Sequence, residues 1–246
     1  MSRFYTNVST RGDKILYRGY ENGKRVEGRI DYRPTLFVST DKSSKYHTMD
    51  GRSVEPFQPG SMSDCRDFIL RHESVTGFEI YGNTDYIYQF IGDKFPDDVE
   101  YDKKQIKVAY LDIETTAENG FPQVKNPTER VNVITLIVDD REYVFALGDC
   151  TMPDNITTYT FTNEKDLLER FLDIWEGEDP DIVTGWNVKF FDMPYLYARM
   201  DRVIEKRAKK LSPWGVVHQR DVQTQSGERI AFEFMGVTIL DYYDLY

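Results

Sequence analysis

Sulfur and imidazole are scarce in this chain. Two cysteines, Cys65 and Cys150, and three histidines are scattered over 246 residues. A single distant cysteine pair builds no disulfide scaffold, so both thiols are expected to be reduced, and a zinc centre lacks its usual ligands. No apolar stretch reaches spanning length and no basic-then-apolar leader opens the sequence. The expectation is therefore a cytosolic chain with no membrane partner. Internal repeats and low-complexity tracts are missing as well. Positive charge is in deficit, with 31 Lys and Arg against 42 Asp and Glu and a net charge of −11. Phosphate contacts need Lys and Arg facing the strand, so this balance excludes generic coating of nucleic acid. Any such contact must be local.

At 40% hydrophobic residues, a chain of this length can bury two cores of ordinary size. Residues up to about Asp102 read as short strands with turn signals, and Glu21-Asn22-Gly23-Lys24 joins two of them as a hairpin. One helix is expected from near Ser63 to around His72. The acidic, proline-containing stretch Asp93-Lys94-Phe95-Pro96-Asp97-Asp98 then marks a boundary. This divides the chain into a strand-rich domain over residues 1–102 and a second domain over residues 103–246. In the second, strands are expected over residues 106–113, 131–138, 143–147 and 182–184. Leu167, Leu168, Phe171, Leu172 and Trp175 recur at helical spacing after a cap at Thr162 or Asn163. Strands mixed with helices make the fold class α/β (α+β). Residues 216–224 and 229–235 are alternating runs joined by Gln225-Ser226-Gly227-Glu228, which reads as a protruding hairpin.

The chemistry is concentrated in two runs. In Tyr110-Leu111-Asp112-Ile113-Glu114-Thr115, the two acids stand at i and i+2 of a strand and project from one face. Carboxylates that close repel, and a multivalent cation between them makes the ionised pair favourable. Hard oxygen ligands point to Mg²⁺, with Mn²⁺ as a substitute. The second run, Thr184-Gly185-Trp186-Asn187 through Phe191-Asp192-Met193-Pro194, breaks a short apolar strand and restarts as a helix. Pro194 suits a first helical turn, which sets Asp192 at that helix's N-terminus. A solvated strand end accounts for Asp112 and Glu114 alone, and a helix cap for Asp192 alone. The two runs together favour a metal-binding site.

These runs resemble the first and second motifs of the DEDD-type 3′–5′ exonuclease domain of family B DNA polymerases. Near end-to-end similarity to the T-even-type bacteriophage polymerases adds Phe4-Tyr5, Tyr32-Arg33-Pro34-Thr35-Leu36-Phe37, Gly120-Phe121-Pro122, Leu211-Ser212-Pro213 and the run from Ile239 to Tyr246. The resemblance implies a ribonuclease-H-like mixed sheet whose first strand is central. It implies two divalent metal ions at Asp112, Glu114 and Asp192, with Asp112 bridging, Glu114 on the water-activating ion and Asp192 on the ion at the leaving 3′ oxygen. The family's third motif, with a Tyr and a fourth metal-binding Asp, is not found after Asp192, nor are palm, fingers and thumb. The chain therefore reads as the N-terminal and exonuclease part of a replicative polymerase, poorly active by itself.

DNA contacts are expected from Asn187, from Phe121 stacking on a terminal base, and from Ser226 and Gly227 at the hairpin tip, which in such polymerases helps hold a frayed primer end apart from the template. Lys206, Arg207, Lys209 and Lys210 are further candidates, although cations near a helix C-terminus are favoured by the dipole in any case. Implied partners are primer-template DNA and a single-stranded 3′ end, a downstream polymerase portion and through it a sliding clamp, and the polymerase's own mRNA, in the cytoplasm of an infected bacterial host. A stand-alone DEDD ribonuclease and a catalytically idle template- or mRNA-binding module are the competing readings.

Overall fold

The computed structural model describes residues 3–224 and 227–245, which fall into two compact units meeting at Tyr101 and Asp102. In the first unit, β1 (Arg3–Arg11), β2 (Lys14–Glu21) and β3 (Lys24–Asp31) form an antiparallel meander. The expected hairpin joins β2 to β3 through Asn22 and Gly23, both at positive φ (53° and 77°). That is the geometry Asn-Gly turns supply, because their twist matches that of the flanking strands. A second sheet runs β5-β6-β4-β7 in space, from β4 (Leu36–Ser39), β5 (Tyr46–His47), β6 (Ser53–Phe57) and β7 (Ile80–Tyr81). Helix α1 (Met62–His72) starts where Ser61 and Asp64 cap each other's backbone amides. A second helix, α2 (Tyr86–Lys94), is a correction to the all-strand reading of this stretch. Its Tyr, Ile and Phe residues favour strands locally, but Asp85 caps it and burial of Tyr86 and Phe90 against Ile15, Tyr17 and Leu36 overrides that preference.

The second unit is built on a six-stranded mixed sheet in the order β11-β10-β9-β8-β12-β15. Its strands are β8 (Val108–Thr115), β9 (Val131–Val138), β10 (Arg141–Leu147), β11 (Thr157–Phe161), β12 (Ile182–Gly185) and β15 (Thr238–Asp241). The first three form an antiparallel meander, while β11 lies parallel to β10, β12 to β8, and β15 to β12. Strands β11 and β15 were not expected from the sequence.

Helix α3 (Glu164–Glu178) lays Leu167, Leu168, Phe171, Leu172 and Trp175 on the sheet, and Asn163 caps it by accepting from the Asp166 amide. Helix α4 (Asp192–Ile204) is fixed to the start of α3 by Arg199, which donates to both Glu164 oxygens at 2.8 and 2.6 Å. The helix stops at Ile204 rather than continuing through Lys210. Glu205 turns to φ 52°, and a 3₁₀ stretch over Glu205–Leu211 buries Ala208 and Leu211, whose carbonyl accepts from the Trp175 indole at 3.2 Å. The hairpin of β13 (Val217–Thr224) and β14 (Gly227–Phe234) stands outside the main sheet.

Gly185 closes β12 at a point of very near approach. A Cβ built there would sit 2.5 Å from the Leu111 carbonyl oxygen, a backbone atom with no freedom to give way. Gly185→Ala is expected to push β12 off β8 and to destabilise the fold by about 1–3 kcal/mol. Gly177→Ala, in the last turn of α3 with open space around it, is expected to stabilise by about 0.4–1 kcal/mol through the unfolded chain. Urea unfolding of the two variants beside the parent measures both signs.

Candidate functional site

The site forms where β12 leaves β8. The β8 strand alternates strictly, with Ala109, Leu111 and Ile113 in the core and Tyr110, Asp112 and Glu114 on the open face. Register with β12 runs only from Ile182 opposite Val108 to Thr184 opposite Tyr110. Beyond that the parallel partner is gone, and the Ile113 amide must find another acceptor. It donates to Asp192 Oδ1 at 3.1 Å. The first residue of α4 thus ends the ladder that the strand left unfinished, and its carboxyl group meets β8 at Ile113, within electrostatic reach of Asp112.

A compact turn delivers Asp192 to that place. Asn187 adopts the left-handed conformation (φ 58°), and its carbonyl accepts from the Phe190 and Phe191 amides at 3.2 and 2.9 Å. The Val188 carbonyl accepts from Met193 at 3.1 Å, and the Val188 side chain is fully buried. Pro194 falls in the first helical turn, where a missing N–H is harmless.

Electrostatics single out Asp192. It is 3% exposed, and its carboxyl is pushed up to about 7, first by burial and then by the charges of Asp112 and Asp241, against the Ile113 N–H. Asp112 is also raised, by partial desolvation. Among the described residues, no three His, Cys, Asp or Glu side chains surround one point. The structure brings Asp112 within electrostatic reach of Asp192 and sets Glu114 one strand repeat further along the same face. An all-oxygen donor set of this kind suits a hard divalent cation.

A cavity of about 340 Å³ is lined by Phe121, Asn187, Phe190, Phe191 and Arg229, among others, so that it takes in the turn leading to Asp192. Phe121 is 74% exposed, with its ring 5.5 Å from that of Phe191. The Arg229 guanidinium, from β14, stands 5.4 Å over the Phe190 ring. Gly227 opens β14 at φ 114°, and Ser226 lies outside the described residues. Of the basic run, Arg207 pairs with Glu169 and Asp173 and Lys210 with Glu176, which fastens the 3₁₀ stretch to α3. Lys206 and Lys209 are exposed.

The sequence reading named Asp241 only within the run from Ile239 to Tyr246 and gave it no role. Asp241, at the end of β15, is 5% exposed and accepts from the backbone amides of Asn187, Lys189 and Tyr243. Its partners are main-chain groups, so no side-chain pattern announces it.

A profile of the DNA polymerase family B exonuclease domain matches residues 79–246, beginning within the first unit and running through the second. The chain belongs to this family. It is 33% identical over its whole length to the DNA-directed DNA polymerase of Enterobacteria phage T4 and 32% identical to that of Escherichia phage RB69. A 100-residue stretch is 36% identical to the DNA polymerase catalytic subunit of Human herpesvirus 6A. The chain spans only 30% and 31% of the length of the two phage polymerases. Exonuclease domains of this family are metal-dependent as a class, and the mixed sheet with β8 at its heart is a ribonuclease-H-like layer.

A carboxyl raised from 3.8 to about 7 on folding binds its proton more tightly in the folded state. Its burial costs nothing at a pH near the unfolded value and progressively more as pH rises through the folded one. Without a cation, Asp192→Asn is therefore expected to be more stable than the parent at about pH 8, by up to about 4 kcal/mol. The gap should close towards about pH 4. Urea titrations in chelator at several pH values test this, and equal stability at the alkaline end refutes it.

Proposed function

We propose that this chain provides the proofreading site of a replicative family B DNA polymerase, hydrolysing DNA from its 3′ end with two divalent ions, Mg²⁺ or in its place Mn²⁺. The observation that carries this reading is Asp192 itself, a buried carboxyl within electrostatic reach of Asp112 that accepts from the Ile113 amide. Asp112, Glu114 and Asp192 would hold the ions. Bound there, such ions supply an activated water and charge neutralisation at the leaving oxygen. The chain's own residues orient the substrate and keep the acids in place.

Phe121 offers an exposed aromatic face on which a frayed terminal base stacks. Asn187 and Arg229, on the wall of the same cavity, present an amide and a guanidinium to the adjoining sugar and phosphate. The start of β14, near the tip of the hairpin, reaches this cavity through Glu228, Arg229 and Ile230, so a strand end entering it meets the hairpin there. In this reading the chain works with a downstream polymerase portion, which carries the fourth acid and the polymerising domains, in the cytoplasm of an infected bacterium.

Digestion of a 3′-labelled single-stranded oligonucleotide in Mg²⁺ or Mn²⁺ tests the proposal. The chain alone is expected to be a poor nuclease. Adding the downstream portion should raise the rate by roughly 10²-fold or more, as a missing charge-stabilising group is restored, and Asp112→Ala should abolish the gain. Vigorous Asp112-dependent digestion by the chain alone would show that its catalytic site is already complete.

A further inference from the structure

We infer that Asp241 is a positioning residue for Asp192, its buried carboxylate holding the turn that carries Asp192 to the edge of β8. The inference rests on the metal-dependent reading of Asp112, Glu114 and Asp192 and extends it to a residue outside both acidic runs.

Register places Asp241 opposite Gly185, the last residue of β12 before the turn. From there its Oδ1 accepts from the Asn187 amide at 2.8 Å and its Oδ2 from the Lys189 amide at 2.9 Å. The left-handed Asn187 lets these two amides converge on one anion, the geometry of an anion-binding nest. Oδ1 also accepts from the Tyr243 amide at 2.9 Å, which fixes the carboxylate from its own side. A path of short bonds then runs outward. The Asn187 carbonyl holds Phe190 and Phe191, the Val188 carbonyl holds Met193, and Asp192 between them meets the Ile113 amide.

Three backbone donors meet the two Asp241 oxygens in this arrangement. An Asn at 241 keeps one acceptor oxygen and turns an NH₂ group towards a backbone N–H, leaving buried donors face to face. Slack in the turn displaces Asp192, while Asp112 and Glu114 stay fixed by the β8–β9 ladder. The defect should therefore fall on cation binding rather than on the fold at large. The neighbouring pair of Lys189 with Asp244 is half exposed and contributes little.

Mn²⁺ binding to the 246-residue chain, read from loss of the free-ion paramagnetic resonance signal, is the test, with thermal unfolding and amide hydrogen exchange measured alongside. Asp241→Asn is expected to weaken Mn²⁺ affinity by about 10–100-fold and to speed exchange at Asn187 and Lys189. Asp244→Asn is expected to bind as the parent does. Asp241→Glu, with its carboxylate displaced by one methylene, should weaken binding in the same direction and carries the test if Asp241→Asn does not fold. Parent-like affinity in a folded Asp241 variant, with or without a lowered Tm, makes the residue structural only and overturns the inference. Parent-like affinity in Asp112→Ala overturns the metal reading itself, and the inference with it.

Discussion

The Ile113 amide and the Asp192 carboxyl group meet because a β-ladder ends early. The β12–β8 register ends at Thr184 opposite Tyr110, with Gly185 passing close to the Leu111 carbonyl, and the Ile113 amide beyond it lies inside the protein. An unsatisfied buried N–H costs about 1–3 kcal/mol. A helix starting with Asp removes that cost, but it draws a carboxyl into a place where ionisation is disfavoured. The backbone's need for an acceptor and the site's need for an acid are met by one residue. Everything around it serves to keep the meeting in register: the buried Val188 and Met193, the turn at Asn187, and the ladder from β8 to β9.

A second buried acid in the same unit shows how differently the fold treats a structural carboxylate. Glu164 is 8% exposed, yet it accepts two bonds from Arg199 and one from the Val131 amide, and Arg199 is itself satisfied by the Pro127 and Thr128 carbonyls. Charge and hydrogen-bonding capacity balance within the protein. Glu129 is similar, held down to about 2 by Thr116, Asn119 and the Glu118 amide. Asp192 receives no such treatment, and its neighbours Asp112 and Asp241 add charge of the same sign. In the proposed reading, this uncompensated acid is one that a bound cation would neutralise.

What the sequence disclosed follows from which interactions are periodic. Asp112 and Glu114 are legible because a strand repeats every two residues, the α3 stripe because a helix repeats every 3.6, and Asp192 because a proline two positions later marks a helix start. The unexpected pieces lack such signals. Strands β11 and β15 are short and lie at the edges of the sheet, so little burial patterns their sequences. Helix α2 is written in residues that prefer strands, and packing decides its state. The stop at Glu205 depends on where Ala208 and Leu211 find cover, a tertiary fact. Asp241 is hidden for a related reason: its partners are amides, present in every residue, and only the parallel pairing of β15 with β12 brings them within reach.

In the proposed reading, the pairing of Arg207 and Lys210 with α3 acids bears on how a chain of net charge −11 would approach DNA. Those cations are engaged in fastening one segment to another, and an exposed pair of this kind contributes modestly to stability while muting the field it projects. At the cavity, Arg229 lies over the Phe190 ring, and Lys125, with its side chain 66% exposed, stands 3.8 Å from Glu228 on the same wall. In the proposed reading, a phosphate arriving there meets guanidinium and ammonium first and the acids of β8 second. The acids alone would repel it, so productive approach at this face requires that dications already offset Asp112, Glu114 and Asp192. Substrate and metal then favour each other's binding through simple electrostatics.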